Sequence, residues 1–286
     1  MKDYKVYDDL EIIKELLGFT TKQLAEKIGV TSMTIHRWKA NEEQISDTNL
    51  KAVYDFAFSS GIHLNKIKEQ LFREEFNSGN NIVLFHGAKT SIEGTLSIEK
   101  SKNTNDLGKG FYCGESLVQS AMFVSNYPES SLYILGFDKD GLKRVELDVG
   151  REWMLLIAYF RGRLGEYSSH PIILKLLAKL KDVDYIIAPI ADNRMFEIID
   201  SFIDGEITDI QCQHCLSATN LGKQYVFVTP KSLEHIKILR HCYLSEKEKQ
   251  FYLSTRLEES KVGNDKVRVA RKQYRGQGNY IEDILK

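Results

Sequence analysis

The chain has 286 residues, 42% hydrophobic and 28% charged, with a formal net charge of −1, the composition of a soluble globular protein long enough for two domains. That balance excludes a global electrostatic attraction to nucleic acid or an anionic membrane, so any basic surface must be local. No apolar run reaches the roughly 18 to 20 residues that a bilayer span needs, Met1-Lys2-Asp3-Tyr4-Lys5 lacks a signal-peptide core, and four cysteines do not make a disulfide framework at this length; a cytoplasmic protein without a membrane partner is expected.

From Leu10 to Phe76 the pattern predicts helices throughout. Ile12, Ile13, Leu16 and Leu17 give the apolar spacing of one helix face, and Gly18 ends that helix. Thr20 with Gln23 three positions on reads as a capping box, opening a helix that carries Leu24, Ala25 and Ile28 before Gly29 stops it. Thr31 or Ser32 caps a third helix, in which Ile35 and Trp38 point inward and Ser32, Met33, His36, Arg37 and Lys39 remain outside. Two short helices joined by a tight glycine turn form a helix-turn-helix unit.

The stretch from Gln23 to Thr31, continued by Ile35-His36-Arg37-Trp38, resembles the phage-repressor family of helix-turn-helix domains over about residues 8 to 72. The resemblance implies that Ser32, Met33, His36 and Arg37 approach bases in the major groove of DNA. Residues 1 to 76 hold 11 Lys and Arg against 13 Asp and Glu, so the phosphate contribution to affinity is weak. Docking to a partner protein, or dimerisation, is the alternative use of the same helices, and a homodimer is an expectation carried by the resemblance.

Asn77-Ser78-Gly79-Asn80-Asn81 is a polar, turn-forming linker, so the first domain is 1–76 and the second 81–242. Ile82 to Gly87 reads as a short buried strand ending in His86, which as a lone histidine is most simply a hydrogen-bonded core residue. Leu107 to Glu115 holds two glycines ahead of an aromatic pair, Phe111-Tyr112. Glycine in a strand gives up packing and entropy, so this stretch reads as a ligand edge running into a covering helix. Leu132–Phe137 and Arg144–Leu147 read as strands joined in a hairpin by Asp138-Lys139-Asp140-Gly141. Two amphipathic helices follow, at 153–160 and 171–180. Tyr185 to Ile190 is another buried strand, Asp192 caps a helix over 195–202, and the last strand is Gln224 to Val228, with Gln224 and Val226 on one face.

Phe85-His86-Gly87, Gly108-Lys109-Gly110-Phe111-Tyr112, Pro189-Ile190-Ala191-Asp192-Asn193-Arg194 and Gln224-Tyr225-Val226-Phe227 together resemble the ADP-ribosyltransferase superfamily, in particular a bacterial domain-of-unknown-function branch, over about 81–240. The resemblance implies an α+β protein: an all-α helix-turn-helix domain, then a mixed split β-sheet clasping NAD, with a helical C-terminal segment. It implies that His86 bonds the adenosine-side ribose and that the Gly87 backbone holds the nicotinamide amide. Tyr112 stacks on the nicotinamide ring, with Gly110 and Phe111 beside it, and Gln224 bonds the nicotinamide-side ribose. His86, Tyr112 and Gln224 are then the catalytic set, with NAD as substrate. Glutamine in place of glutamate leaves an amide dipole where a negative charge is expected. Gly222, two positions before it, gives no indication of a guanidinium acceptor. Asp192 and Arg194 serve either as a helix cap and a solvated arginine, or as groups that meet the pyrophosphate.

Cys212-Gln213-His214-Cys215 with His241-Cys242 has zinc-ligand residue types, but adjacent His241 and Cys242 do not suit one tetrahedral ion, so no metal is expected. Residues 243–286 read as helical and basic, with Lys266, Arg268, Arg271, Lys272 and Arg275 on a solvated face. Aromatic residues interleaved near Tyr274 and Tyr280 keep a nucleic-acid or acidic partner open.

The expectation is an ADP-ribosyltransferase, a glycosyltransferase acting on NAD, joined to a DNA-binding or docking domain: a toxin or phage-defence effector with an antitoxin partner and an acceptor that is protein or nucleic acid. An NAD glycohydrolase, with water as acceptor, is the first alternative. The second is a non-catalytic regulator that senses NAD or ADP-ribose.

Overall fold

A computed structural model describes residues 4–42, 45–191, 193–219 and 222–286, with the backbone alone at 193 and 194. Five helices come first: α1 (Val6–Leu17), α2 (Thr21–Lys27), α3 (Ser32–Ala40), α4 (Asp47–Ser59) and α5 (Leu64–Phe76). Then follow β1 (Asn81–Ala88), β2 (Phe111–Gly114), α6 (Leu117–Val124), β3 (Ser131–Asp138), β4 (Arg144–Glu146), α7 (Arg151–Phe160) and α8 (Pro171–Lys179). The chain closes with β5 (Tyr185–Pro189), α9 (Asn193–Ile203), α10 (Asp209–Ser217), β6 (Lys223–Phe227), α11 (Pro230–Glu234), β7 (Ile236–Cys242), α12 (Glu246–Gln273) and α13 (Ile281–Ile284). The protein is α+β, and no described helix is long and apolar enough to cross a membrane.

The chain forms two compact units that interleave along the sequence. One comprises Met1–Thr95, Leu117–Asp138 and Lys237–Arg256; the other comprises Leu96–Ser116, Lys139–Ile236 and Leu257–Lys286.

In the first unit the helix ends are set by local chemistry. Gly18 leaves α1 at φ 64°, a conformation open to glycine without penalty. Thr20 and Gln23 form the reciprocal capping box of α2, and Thr31 accepts from the Thr34 N–H to open α3. Ile13, Leu24, Ile35 and Trp38 are buried, whereas Leu16 is 57% exposed and lies off the core face. The strands run in the order β1-β3-β7, with β1 antiparallel to β3 and His86 directly opposite Tyr133. Helix α5 is seated on this sheet: a Cβ on Gly136 of β3 would lie 2.4 Å from the Phe76 ring. The linker is held as well, since Asn77 Oδ1 accepts from the Val83 N–H at 2.8 Å.

In the second unit the order is β4-β5-β6-β2. Strand β4 is parallel to β5, and β6 is antiparallel to both β5 and β2. A parallel pair needs a crossover connection, which α7 and α8 supply. Trp153, Ile157, Ile186, Phe202 and Val226 make its core.

Three expectations are corrected here. The turn at 138–141 does not close a hairpin, because β3 pairs with β1 while β4 pairs with β5; a turn signal reverses the chain but cannot choose a partner strand. Helix α6 covers β1 rather than the strand preceding it, with the Ser120 hydroxyl near the Phe85 carbonyl and Val124 against Gly87. The last strand is β7, not the one at Gln224. Lys237, Arg240 and His241 interrupt its apolar pattern, and only His241 and Cys242 of the strand are buried.

Candidate functional site

Strand β2 is set against β6 with Tyr112 opposite Val226 and Gly114 opposite Gln224. Residues directly opposite share a face, and alternate residues along a strand do too. Tyr112 and Gln224 are therefore diagonal neighbours on one face of the sheet. On the other face, Tyr185 stacks with Tyr225 and Phe227 at ring separations of 6.2 and 6.0 Å. These contacts pin β6 from behind.

Gln224 is 6% exposed, so its amide must be satisfied inside the protein. Its Nε2 donates to the Pro189 carbonyl at 2.9 Å and reaches Asp106 Oδ2 at 3.5 Å. The second oxygen of Asp106 accepts from Arg161 Nη2 at 2.7 Å. Burial pushes the Asp106 carboxyl above its ordinary range, and the Arg161 guanidinium opposes that shift. Arg161 lies over the Phe196 ring, 3.5 Å from its centre. The Tyr112 hydroxyl donates to the Gly108 carbonyl at 2.7 Å and accepts from the Leu107 N–H at 3.2 Å. Burial raises its pKa, which keeps the phenol neutral.

The glycines beside Tyr112 have protein reasons to be glycine. Gly108 has φ 78°, and a Cβ there would come 2.7 Å from the Phe160 ring. At Gly110 a Cβ would meet Val226 at 2.6 Å and the Phe227 carbonyl at 2.9 Å. Close packing of the turn on β6 and α7 accounts for both without a ligand.

Residues 82–238, more than half of the chain, match the model of a family described as Protein of unknown function (DUF3990). The chain belongs to the DUF3990 family. Neither curated proteins nor solved structures yield a match.

The DUF3990 segment holds His86, Gly87, Gly110, Phe111, Tyr112 and Gln224. His86 is half-buried on β1, its ring 6.4 Å from that of Tyr133. Tyr133 stacks on His241 of β7 at 4.5 Å, and His241 lies 4.4 Å from Tyr4. Gly87 has its open side filled by α6. Asp192 and the Arg194 side chain lie outside the described residues.

Asp106 and Arg161 were not singled out from sequence. Asp106 stands directly before Leu107-Gly108, and a carboxylate beside that turn was a signal open to reading. Nothing local ties it to Arg161, 55 positions away at the end of α7.

Outside the family match, α3 exposes Met33 (65%), His36 and Arg37, with Ser32 partly covered. Cys212 and Cys215 are buried in α10, their sulfurs 3.6 and 3.8 Å from the Ile198 and Val267 carbonyls. His214 stacks on Tyr274 at 3.5 Å. Tyr274 thus has a structural use, and the segment after α12 is tied down through the Asp209 carboxylate, which accepts from the Asn279 N–H at 2.8 Å.

Proposed function

We propose that the chain is an ADP-ribosyltransferase that uses NAD as substrate. The observation that carries this reading is the pairing on one sheet face of Tyr112, an aromatic face held by its own hydroxyl, with Gln224, a buried amide with a carboxylate behind it. NAD supplies a glycosidic C–N bond whose electron pair departs with neutral nicotinamide, while the ribose carbon bonds to an acceptor oxygen or nitrogen that gives its proton to solvent. The donor set suits that chemistry. Tyr112 offers a flat apolar surface for the nicotinamide ring. Gln224 accepts from ribose hydroxyls and lies where positive charge develops on the sugar. Gly110 and Phe111 set the turn that carries Tyr112. No side chain is asked to act as a nucleophile, so catalysis rests on orientation and fixed dipoles.

The exposed face of α3 is the DNA-contacting surface in this reading, and the whole is an effector of toxin or phage-defence type. The acceptor is a protein or nucleic acid.

The test is nicotinamide release from NAD by the purified chain beside Gln224→Ala and Tyr112→Ala, with intact-mass analysis of the chain and of added lysate protein and nucleic acid. Release lost in both variants, with one ADP-ribose gained on an acceptor, is the expected result. Release with no modified acceptor replaces the reading with an NAD glycohydrolase. Tight NAD binding without release replaces it with a sensor.

A further inference from the structure

Gln224 has no charge of its own, yet its surroundings decide which way its amide points. The Pro189 carbonyl can only accept, and an ionised Asp106 can only accept. With the two at 2.9 and 3.5 Å, the NH2 group must face both. Oε1 is left on the opposite side as an acceptor.

We propose that Asp106 is a positioning residue that lends Gln224 its negative charge, so that Oε1 of the polarised amide acts toward the sugar as one oxygen of a glutamate would. This role rests on the ADP-ribosyl-transfer reading. A carboxylate accepting from an amide N–H draws the nitrogen lone pair further into the carbonyl and makes the oxygen more negative. In a dry site such chains polarise one another. Asp106 is 9% exposed, so little solvent screens it. Arg161 pairs with the other carboxylate oxygen and opposes the effect of burial, and the Phe196 ring lies under the guanidinium. The more exposed arginine is partly screened, which leaves the buried carboxylate as the field that Gln224 feels.

Two measurements on the full-length chain test this. The first follows the Gln224 side-chain amide by nitrogen-15 NMR as pH is lowered. Its signal is expected to move with a single carboxyl titration that disappears in Asp106→Asn, and an amide that titrates identically in that variant overturns the proposal. The second is steady-state nicotinamide release. Asp106→Asn is expected to lower kcat by about tenfold with KM little changed, because a charge one residue removed acts less than a direct donor. Asp106→Asn combined with Gln224→Glu returns the charge and is expected to restore kcat, which a merely structural role does not predict. Arg161→Gln, should Asp106→Asn not fold, is expected to move the acid limb of the pH profile upward. Unchanged kcat and pH profile in these variants overturn the role of Asp106. No release by the wild-type chain, with the amide titration present, overturns the enzymatic reading and leaves Asp106–Gln224 a structural bond.

Discussion

Lys68 Nζ lies 2.6 Å from Asp9 Oδ2 across 59 residues of sequence, and both side chains are sequestered from solvent. Tyr54 donates to the same oxygen at 2.6 Å, and Arg240 of β7 approaches the other at 3.4 Å. The bond joins α1 to α5, and Arg240 joins them to the strand. Removing Asp9 strands the buried Lys68 ammonium, and removing Lys68 leaves Asp9 to Tyr54 and the more distant Arg240. Lys68→Met is expected to destabilise the chain by about 3–5 kcal/mol, and the double variant Lys68→Met with Asp9→Leu by less than Asp9→Leu alone. Chemical unfolding midpoints check this. A double variant no better than the single ones means that the pair is not a coupled unit.

Glu248, at the start of α12, accepts from Asn65 Nδ2 at 3.0 Å and from the Tyr252 hydroxyl at 3.3 Å. Burial is the largest influence on it and pushes its pKa from 4.5 to about 7. The folded state then binds more protons than the unfolded one between those values. Stability from this group is fully present below pH 4.5 and is lost as pH rises through 7. The loss is on the order of 3 kcal/mol. Unfolding at pH 5 and pH 8 is expected to show this fall in the wild-type chain and not in Glu248→Gln; equal falls in both would assign it to another group.

Gly108 and Gly162 both adopt positive φ, 78° and 71°, but only Gly108 has a neighbour against its open side. Gly162→Ala is expected to cost about 1 kcal/mol, the backbone penalty alone. Gly108→Ala should cost about 1–3 kcal/mol more, since Phe160 must move, and the Tyr112 hydroxyl loses its aligned carbonyl. Paired melting curves decide it, and equal losses would mean that Phe160 yields freely.

Arg37 is exposed on α3, so Arg37→Ala is expected to leave thermal stability within about 0.5 kcal/mol. If α3 binds DNA, the variant weakens that binding and changes the slope of log affinity against log salt by about 1 for each phosphate that the arginine neutralises. Selection from random duplexes followed by salt titration supplies the DNA and the slope. No duplex bound by the wild-type chain at low salt would leave α3 a protein-docking face.

Short-range features were legible beforehand. The Thr20–Gln23 box, the Gly18 stop and the Thr31 cap each link residues three or four apart, so spacing alone carries them. Buried strands such as Tyr185–Pro189 stood out as apolar runs. Strand β7 did not, because Arg240 and His241 interrupt it and their partners, Asp9 and Tyr4, lie far away in sequence. At the candidate site, Tyr112 and Gln224 were readable as motif residues, while Asp106 and Arg161 were not.

The stop of α1, the caps of α2 and α3, the burial of apolar strands and the composition of the turn ahead of Tyr112 are written in the amino-acid order, because they depend on hydrogen bonds and sterics within a few residues. The pairing of β4 with β5 rather than β3, and of Lys68 with Asp9, came from the folded chain. So did the carboxylate that stands behind the Gln224 amide. Strand choice and buried charge pairing depend on which distant groups can be desolvated together, and that free energy exists only once the chain has closed around them.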